Sequence, residues 1–575
     1  PEKLSETASA IQVITSEDIL RSGASSLPEA LRLAPNLDVA QVNSHDWGIS
    51  ARGFNNTVAN KLLVMMDGRT IYTPLYAGVF WDVQNVILED IDRIEVVSGP
   101  GGTLWGANAV NGVINITTKS AKDTQGTLIT GGGGSLLQDF GAVRYGDKIS
   151  TNVFFRVYAQ RFDRNNTLMA NGNDATNSWD MTQGGFRLDG YPSEANAWTV
   201  QGDVYSGTEQ GFAADTTLDG QNILGRWTHT ISADSDWQVQ AYFDRTWRRT
   251  PNSFTEDLKT FDVDFQHRFP LGERQSVIWG GGYRLMVDEV VNSAALAFLP
   301  PNRNLELFSG FVQDEITLLP ERLKLTLGTK LEHNDYSGVE VQPSGRIAWT
   351  PDDRQTVWAA ISRAVRSPSR IDSDFYIPAN PPYVLAGGTN FDSEKLLAYE
   401  VGYRVRPTDQ LSVSLAAFYN QYDQLRSVNE ITTTNFFLAN DFEGETAGVE
   451  LSANFQATSW WRWRGGYTYL YKSLQPTSPN ANPSVREGND PEHHFLLQSI
   501  MDLPGHFQFD TTARYVDLRP SPVIPSYFTV DLRLAWQFKN LELAVVGQNL
   551  CDNRHPEFGT QEIPRSVFGK VTWRF

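Results

Sequence analysis

The chain has 575 residues, a formal net charge of −19, sixteen Trp, twenty Tyr and a single cysteine, Cys551. An acidic balance of that size excludes nucleic acid as a partner, because neutralising phosphates needs a basic surface, and one thiol excludes an internal disulfide or thiolate cluster. Mean hydropathy is −0.35 and no run approaches the ~20 apolar residues of a transmembrane helix, so any membrane-spanning reading must rest on strands, whose alternating faces escape window averages.

The chain opens at Pro1 without a basic-then-apolar leader and reads as a mature or trimmed product. Residues 1–125 predict a small α+β unit. Thr15 to Asp18 is a capping box for a short helix that Gly23 stops. Ser26 with Glu29 opens a second helix that ends before Pro35. Extended segments follow: Lys61 to Met66 runs into the turn at Asp67-Gly68, Ile91 to Val97 runs into Gly99-Pro100-Gly101-Gly102, and Gly112 to Thr118 closes the unit. The glycine-rich stretch from Gly99 to Gly106 is no phosphate loop. A Walker loop needs Lys and Ser/Thr after its closing glycine, where Ala107 and Asn108 stand, and a dinucleotide loop needs Gly where Leu104 sits. Tight turns in a confined domain explain these glycines.

From residue 126 to 575 the pattern changes. Ten short turn signals recur, centred on Asp147, Glu194, Asp234, Gly272, Glu321, Asp352, Thr408, Thr458, Pro504 and Lys539. Between neighbours lie two alternating apolar/polar stretches joined by a longer polar segment. Ten such turns with both chain ends on the same side imply 22 antiparallel strands, an all-β transmembrane barrel. The pleat can be checked directly: Val567, Val571, Trp573 and Phe575 share one parity and Ser566, Lys570, Thr572 and Arg574 the other. Trp237, Val239, Ala241 and Phe243 oppose Gln238, Gln240, Tyr242 and Asp244 in the same way. A barrel this wide cannot fill its own bore with side chains, so the front domain is expected inside the lumen as a plug. Strands of ~9 to 11 residues leave modest outer loops, which favours a small ligand over a protein or polymer.

Several ordered motifs resemble one family. The segments Leu27 to Asn36, Ser50-Ala-Arg-Gly-Phe54, Leu63 to Arg69, Asp92 to Pro100 and Trp105 to Ile116 resemble the plug of TonB-dependent outer-membrane receptors. Ala398 to Tyr403, Gly448 to Leu451, Tyr527 to Asp531, Gln548 to Asp552 and the terminal Phe575 resemble that family's barrel signatures. The resemblance covers essentially the whole chain. It implies location in the outer membrane of a Gram-negative bacterium, within its lipid, and active import of a scarce small molecule by one chain acting alone. An inner-membrane TonB-type protein would supply energy by pulling a short segment before the plug. That segment, the TonB box, is not evident and is expected just upstream of Pro1 or removed. The family also implies that Arg52 lies against barrel-wall carboxylates at the positions of Glu400 and Glu450. Strand parity places both glutamates inward, opposite Tyr399, Val401 and Tyr403 and opposite Val449, Leu451 and Phe455. Leu104 occupies the place of a second family arginine, so a four-charge lock is not expected.

Ligand contacts in the family come from outer loops. On the plug, His45, Asp46 and Trp47 and the aromatic run of Tyr72, Tyr76, Phe80 and Trp81 have the right composition, although buried aromatics are more often packing. On the barrel, the widest turn spacing encloses Arg366, Arg370 and Tyr376, where the arginines would meet an anionic chelate or simply be solvated. Metal sites have little support, and no cofactor is expected. His493 and His494 are adjacent and face opposite ways in a strand, Asp163 to Leu168 lacks the glycine of a calcium loop, and six methionines form no soft cluster. A cargo metal would come already wrapped in a chelator. The favoured cargo is a ferric siderophore, by analogy with the family's commonest cargo, with a cobalamin, haem or small glycan as the alternative. An enzyme is not expected, since neither a Ser-His-Asp grouping nor a G-x-S-x-G elbow is readable. A passive porin would lack the plug.

Overall fold

The computed structural model describes residues 8–485 and 487–575; the TonB box expected upstream of Pro1 lies outside them. The front domain is built on a five-stranded sheet of β1 (Ala10–Thr15), β4 (Leu62–Met66), β5 (Arg69–Thr70), β6 (Ile91–Ser98) and β7 (Gly112–Thr118), in the order β1-β6-β7-β4-β5. β2 (Asp38–Gln41) and β3 (Trp47–Ser50) form a separate hairpin. Helix α1 (Ser16–Ser22) begins at the Thr15/Asp18 capping box and ends at left-handed Gly23, while α2 (Leu27–Leu31) is capped by Ser26. Both helices bury apolar faces on the sheet, where Ile14, Ile19, Leu27, Leu31, Ile94, Val96, Ile114 and Ile116 share one core. The run after Gly101 adds a short helix, α3 (Gly102–Trp105), where only tight turns were expected.

Residues 126–574 form a closed antiparallel barrel of 22 long strands around this domain. The first wall strands are β8 (Gly126–Gly134), β9 (Leu137–Ser150) and β10 (Val153–Arg164). The barrel closes where Ser566–Arg574 pairs with β8, from Phe568 opposite Gly134 to Arg574 opposite Leu128. Closure leaves no sheet edge in lipid, which a spanning β structure requires. The outward set is the one parity selects: Val567, Val571, Trp573 and Phe575 are exposed, whereas Thr572 is buried. Aromatic pairs such as Trp227 with Trp237, Trp536 with Phe538 and Trp573 with Phe575 stand near the short turns as one interfacial girdle.

Two expectations need correction. Asp147 is not at a turn: it lies inside β9 opposite Phe155, and the chain reverses at 151–152. Gly146-Asp147-Lys148 has turn composition, but below the apolar band a strand continues in water with polar side chains at no cost. Many strands also outrun the membrane, up to the 24 residues of Asn435–Thr458, so much of the outer surface is extended sheet and not loop.

Candidate functional site

Arg52 follows β3 in a tight reversal, with its own φ at 53° and Gly53 at 102°. A left-handed backbone at a non-glycine residue is strained and persists only where its surroundings hold it. Here they do. The guanidinium, fully buried, donates from Nη1 to Glu400 Oε1 at 2.8 Å and from Nε to Glu450 Oε1 at 3.0 Å. It also lies 4.3 Å above the Phe418 ring. Both carboxylates project inward from the wall, and burial, which opposes the charge, is outweighed by them, so the guanidinium holds its proton more tightly than usual. Gly99, at φ 85°, makes room: a Cβ there would collide with Glu400 and come within 2.7 Å of Arg52 Nη1.

A second buried cluster lies above the first. Lys61, just before β4, binds Glu394 at 2.5 Å and Glu487 at 2.8 Å, beneath the Phe54 ring. Glu394 also accepts from Arg366 (2.8 Å), which binds Asp372 (2.7 Å), and Arg426 joins Glu487 at 3.2 Å. Three cations and three carboxylates thus balance across the plug–wall interface. The sequence reading missed this network, although Glu394 shares the inward parity of Glu400 six residues on.

This network corrects the picture of the loop at 367–393. Arg366 and Arg370 are not solvated loop charges; both are fully buried, and Arg370 is bound to Asp288 at 2.8 Å and Asp374 at 3.2 Å. The loop folds inward because the Ser369/Asp372 capping box starts a helix, Arg370–Asp374, whose first amides donate to the plug carbonyls of Pro74 and Leu75. Tyr376 alone of the three stays half-buried at the surface, against Tyr383.

The seven plug residues do not form one open patch. Asp46 is exposed. His45 places Nδ1 3.4 Å from Asp46 and 3.2 Å from Glu209 of the wall. Burial lowers the imidazole's affinity for a proton, but Asp46 and then Glu209 outweigh it and raise it to about 9. Trp47 is buried with the Arg32 guanidinium 5.0 Å over its ring, and Trp81 belongs to the plug core. Tyr76 packs edge-on to Phe80, under Val290 and Phe298, while Phe80 lies beneath Arg248. Tyr72 sits deeper, among Leu258, Met286, Leu305 and Tyr336.

Outer loops reach the plug directly. Arg519 clamps Asp38 through two bonds of 2.7 and 2.8 Å, and buried Glu557 binds Arg32 and accepts from the Gln41 amide at 2.7 Å. A ligand that moved loops 517–526 or 549–565 would therefore move the β2–β3 hairpin. On the wall, His493 stacks with Tyr467 outside and its neighbour His494 pairs in register with inward Thr468.

Residues 121–550 match the family model described as TonB dependent receptor-like, beta-barrel, and residues 3–113 match the TonB-dependent Receptor Plug Domain. An iron-regulated outer membrane virulence protein of Vibrio cholerae is 24% identical over 534 residues, covering 84% of this chain and 78% of the relative. A vitamin B12 transporter of the same species, BtuB, is 33% identical over 156 residues, only 26% of this chain and 25% of that protein. The solved siderophore receptor PirA of Acinetobacter baumannii superposes with a TM-score of 0.82 at 14% identity, over 99% of this chain and 98% of that one.

Proposed function

This chain belongs to the TonB-dependent receptor family of the Gram-negative outer membrane, a family of receptors and transporters and not of enzymes, and from that premise we propose that it imports a ferric siderophore against its gradient. The observation that carries active import is the stoppered bore: the plug is bonded to the wall by buried ion pairs at several depths, so passage requires work. A TonB-type partner in the inner membrane supplies that work, and a single chain suffices as the receptor. The iron assignment is supported by the relative that matches most of the chain, whose name records regulation by iron; the cobalamin match spans a quarter of the chain. A metal cargo arrives inside an organic chelator, and of the residues with ligand-binding composition the exposed Asp46 and half-buried Tyr376 are the ones open to it.

Binding titrations of the purified protein with ferric catecholate and ferric hydroxamate chelates, haemin and cyanocobalamin test this, paired with growth of a deletion strain on each source. Saturable binding of one ferric chelate and growth dependent on both this chain and the energy-coupling system are expected. Binding and growth restricted to cyanocobalamin would move the cargo to the alternative, and growth independent of energy coupling would overturn active import.

A further inference from the structure

The wall strands are joined at the outer end by eleven connections, at 135–136, 165–178, 210–215, 251–253, 293–301, 335–337, 367–393, 433–434, 477–492, 517–526 and 549–565. Together these carry thirteen Asp and Glu against five Arg and no Lys, a formal charge of −8. The ten inner turns, from 151–152 to 539–540, carry six acids and four bases, a charge of −2. The acid excess therefore belongs to the outer mouth and not to the connections in general.

Placement sharpens the bias. Arg370 and Arg519 are buried, the first on Asp288 and Asp374 and the second on Asp38, and Arg554 is bound to Glu562. Among the described residues Arg565 is the one exposed loop cation, whereas Asp174, Asp215, Asp335, Glu492 and Asp552 are exposed carboxylates on five different loops. The longest hairpin, Leu411–Thr432 with Asn435–Thr458, adds to the excess. Its outer half, residues 421–446, holds Asp423, Glu430, Asp441, Glu443 and Glu445 against Arg426 alone, and Arg426 is bound to Glu487. The plug adds exposed Asp46. In the loop at 367–393 the rings of Tyr376 and Tyr383, both half-buried, pack 4.7 Å apart. Aromatic faces of this kind attract cations.

Charge of one sign around a concave mouth focuses the field there and changes association rates by about 10- to 1,000-fold, in the direction set by the charge of the solute. Ferric chelates differ widely in that charge. Iron(III) bound by three catecholates is a trianion, because each ring loses two protons. Bound by three hydroxamates, each losing one proton, the same ion is neutral, and a pendant amine makes the chelate a cation. A trianion approaching this mouth meets a majority of carboxylates, with three of the five loop guanidiniums already bound to acids. Like charges brought together at an interface discriminate against the wrong partner. An ammonium group finds both carboxylates and the faces of Tyr376 and Tyr383. We propose that the cargo is a cationic ferric chelate, a tris-hydroxamate bearing an ammonium group, and that the outer loops turn tris-catecholates away. The proposal deepens the ferric siderophore reading above and rests on it.

Stopped-flow quenching of tryptophan fluorescence in the purified full chain follows three probes: a ferric tris-hydroxamate with one free amine, the same chelate with that amine acetylated, and a ferric tris-catecholate. The amine-bearing chelate is expected to bind, and to associate about fivefold faster when salt falls from about 0.15 M to about 0.01 M, which lengthens the Debye length from ~8 Å to ~30 Å. Acetylation should abolish that salt dependence. Asp174→Lys, Glu492→Lys and Asp552→Lys together, all at exposed positions, should slow the amine-bearing chelate by about fivefold at low salt. The catecholate should bind at least about tenfold more weakly than the amine-bearing chelate. Catecholate binding tighter than that limit, equal rates for the free and acetylated amine at low salt, or an unchanged rate in the triple variant would each overturn the charge assignment while leaving the iron reading in place. No binding of any ferric chelate overturns the iron reading, and the charge assignment with it.

Discussion

Replacing Arg52 by methionine keeps most of the volume of the side chain and removes its charge. Glu400 and Glu450, both almost fully buried, would then face each other with no cation. Removing one partner of a buried ion pair costs ~3–5 kcal/mol, mostly because the remaining charge is stranded away from water. If that cost falls on plug retention, the population of plug-released molecules rises by about a hundredfold to a few thousandfold, since ~1.4 kcal/mol is a factor of ten. Limited proteolysis of the purified protein reads this population when opening and closing are fast relative to cleavage. The expected outcome is a plug cleavage rate raised at least a hundredfold in Arg52→Met. The control removes all three charges together, Arg52→Met with Glu400→Gln and Glu450→Gln, and should recover most of the loss because nothing is left unpaired. An unchanged rate in the single variant, or a triple variant as labile as the single one, would refute the claim that the pair holds the plug.

Lys61→Met strands Glu394 and Glu487 in the same way and should cost ~3 kcal/mol of plug retention, measured by hydrogen exchange of β4; Glu394→Gln should cost more, because Glu394 serves Arg366 as well. His45 binds its proton more tightly in the folded chain than its ordinary value of 6.5 allows, so its contribution is complete below about pH 6.5 and is lost as pH rises through about 9. With screening at half-exposed Asp46 taken into account, that contribution is about 2 kcal/mol, and the protection factors of the 43–46 amides, with the intrinsic base-catalysed rate divided out, should fall above pH 9 in the native chain but not in His45→Gln. Val545 faces lipid near the middle of its strand, so Val545→Arg should weaken folding into vesicles by ~2–4 kcal/mol, read from urea titration of heat-modifiable mobility.

Features governed by local periodicity were legible in the chain. The outward set at 567–575 and the caps at Thr15 and Ser26 each depend on residues within one element, and the strand count depends on turn signals that recur between neighbouring elements. The inward placement of Glu400 and Glu450 followed from the same period of two, whereas their pairing with Arg52 came from the resemblance to the family and not from any local pattern. What sequence could not show was where long connections fold. Nothing local distinguishes a solvated loop arginine from Arg366 or Arg370, because their partners Glu394, Asp288 and Asp372 are assembled by the return of the loop over the plug. The aromatic run from Tyr72 to Trp81 has the composition of a ligand surface, yet Tyr72 packs among Leu258, Met286 and Leu305, Trp81 joins the plug core, and Tyr76 and Phe80 lie under the wall cluster of Val290 and Phe298.

The chemistry of the plug–wall interface explains how one contact can be both specific and releasable. Ion pairs ring the plug at each depth: Arg464 with Asp18 and Arg21 with Asp510 near the inner mouth, Lys570 with Glu89 and Arg144 with Asp90 beside them, Arg52 in the middle, and Arg519 with Asp38 toward the outside. An apolar interface of the same shape would often be more stable, since buried ion pairs barely offset their desolvation. It would also cling at many registers, because apolar attraction has no direction. Charged pairs hold at one register only, through directional bonds, and on separation in a wet lumen each ion regains hydration. A pull applied to the plug therefore meets steep but short-ranged resistance, and the domain returns to the same seat afterwards. That balance suits a stopper which must leak nothing at rest and yield to a modest force, and it places the determinants of opening in pairs such as Arg52 with Glu400 and not in total buried area.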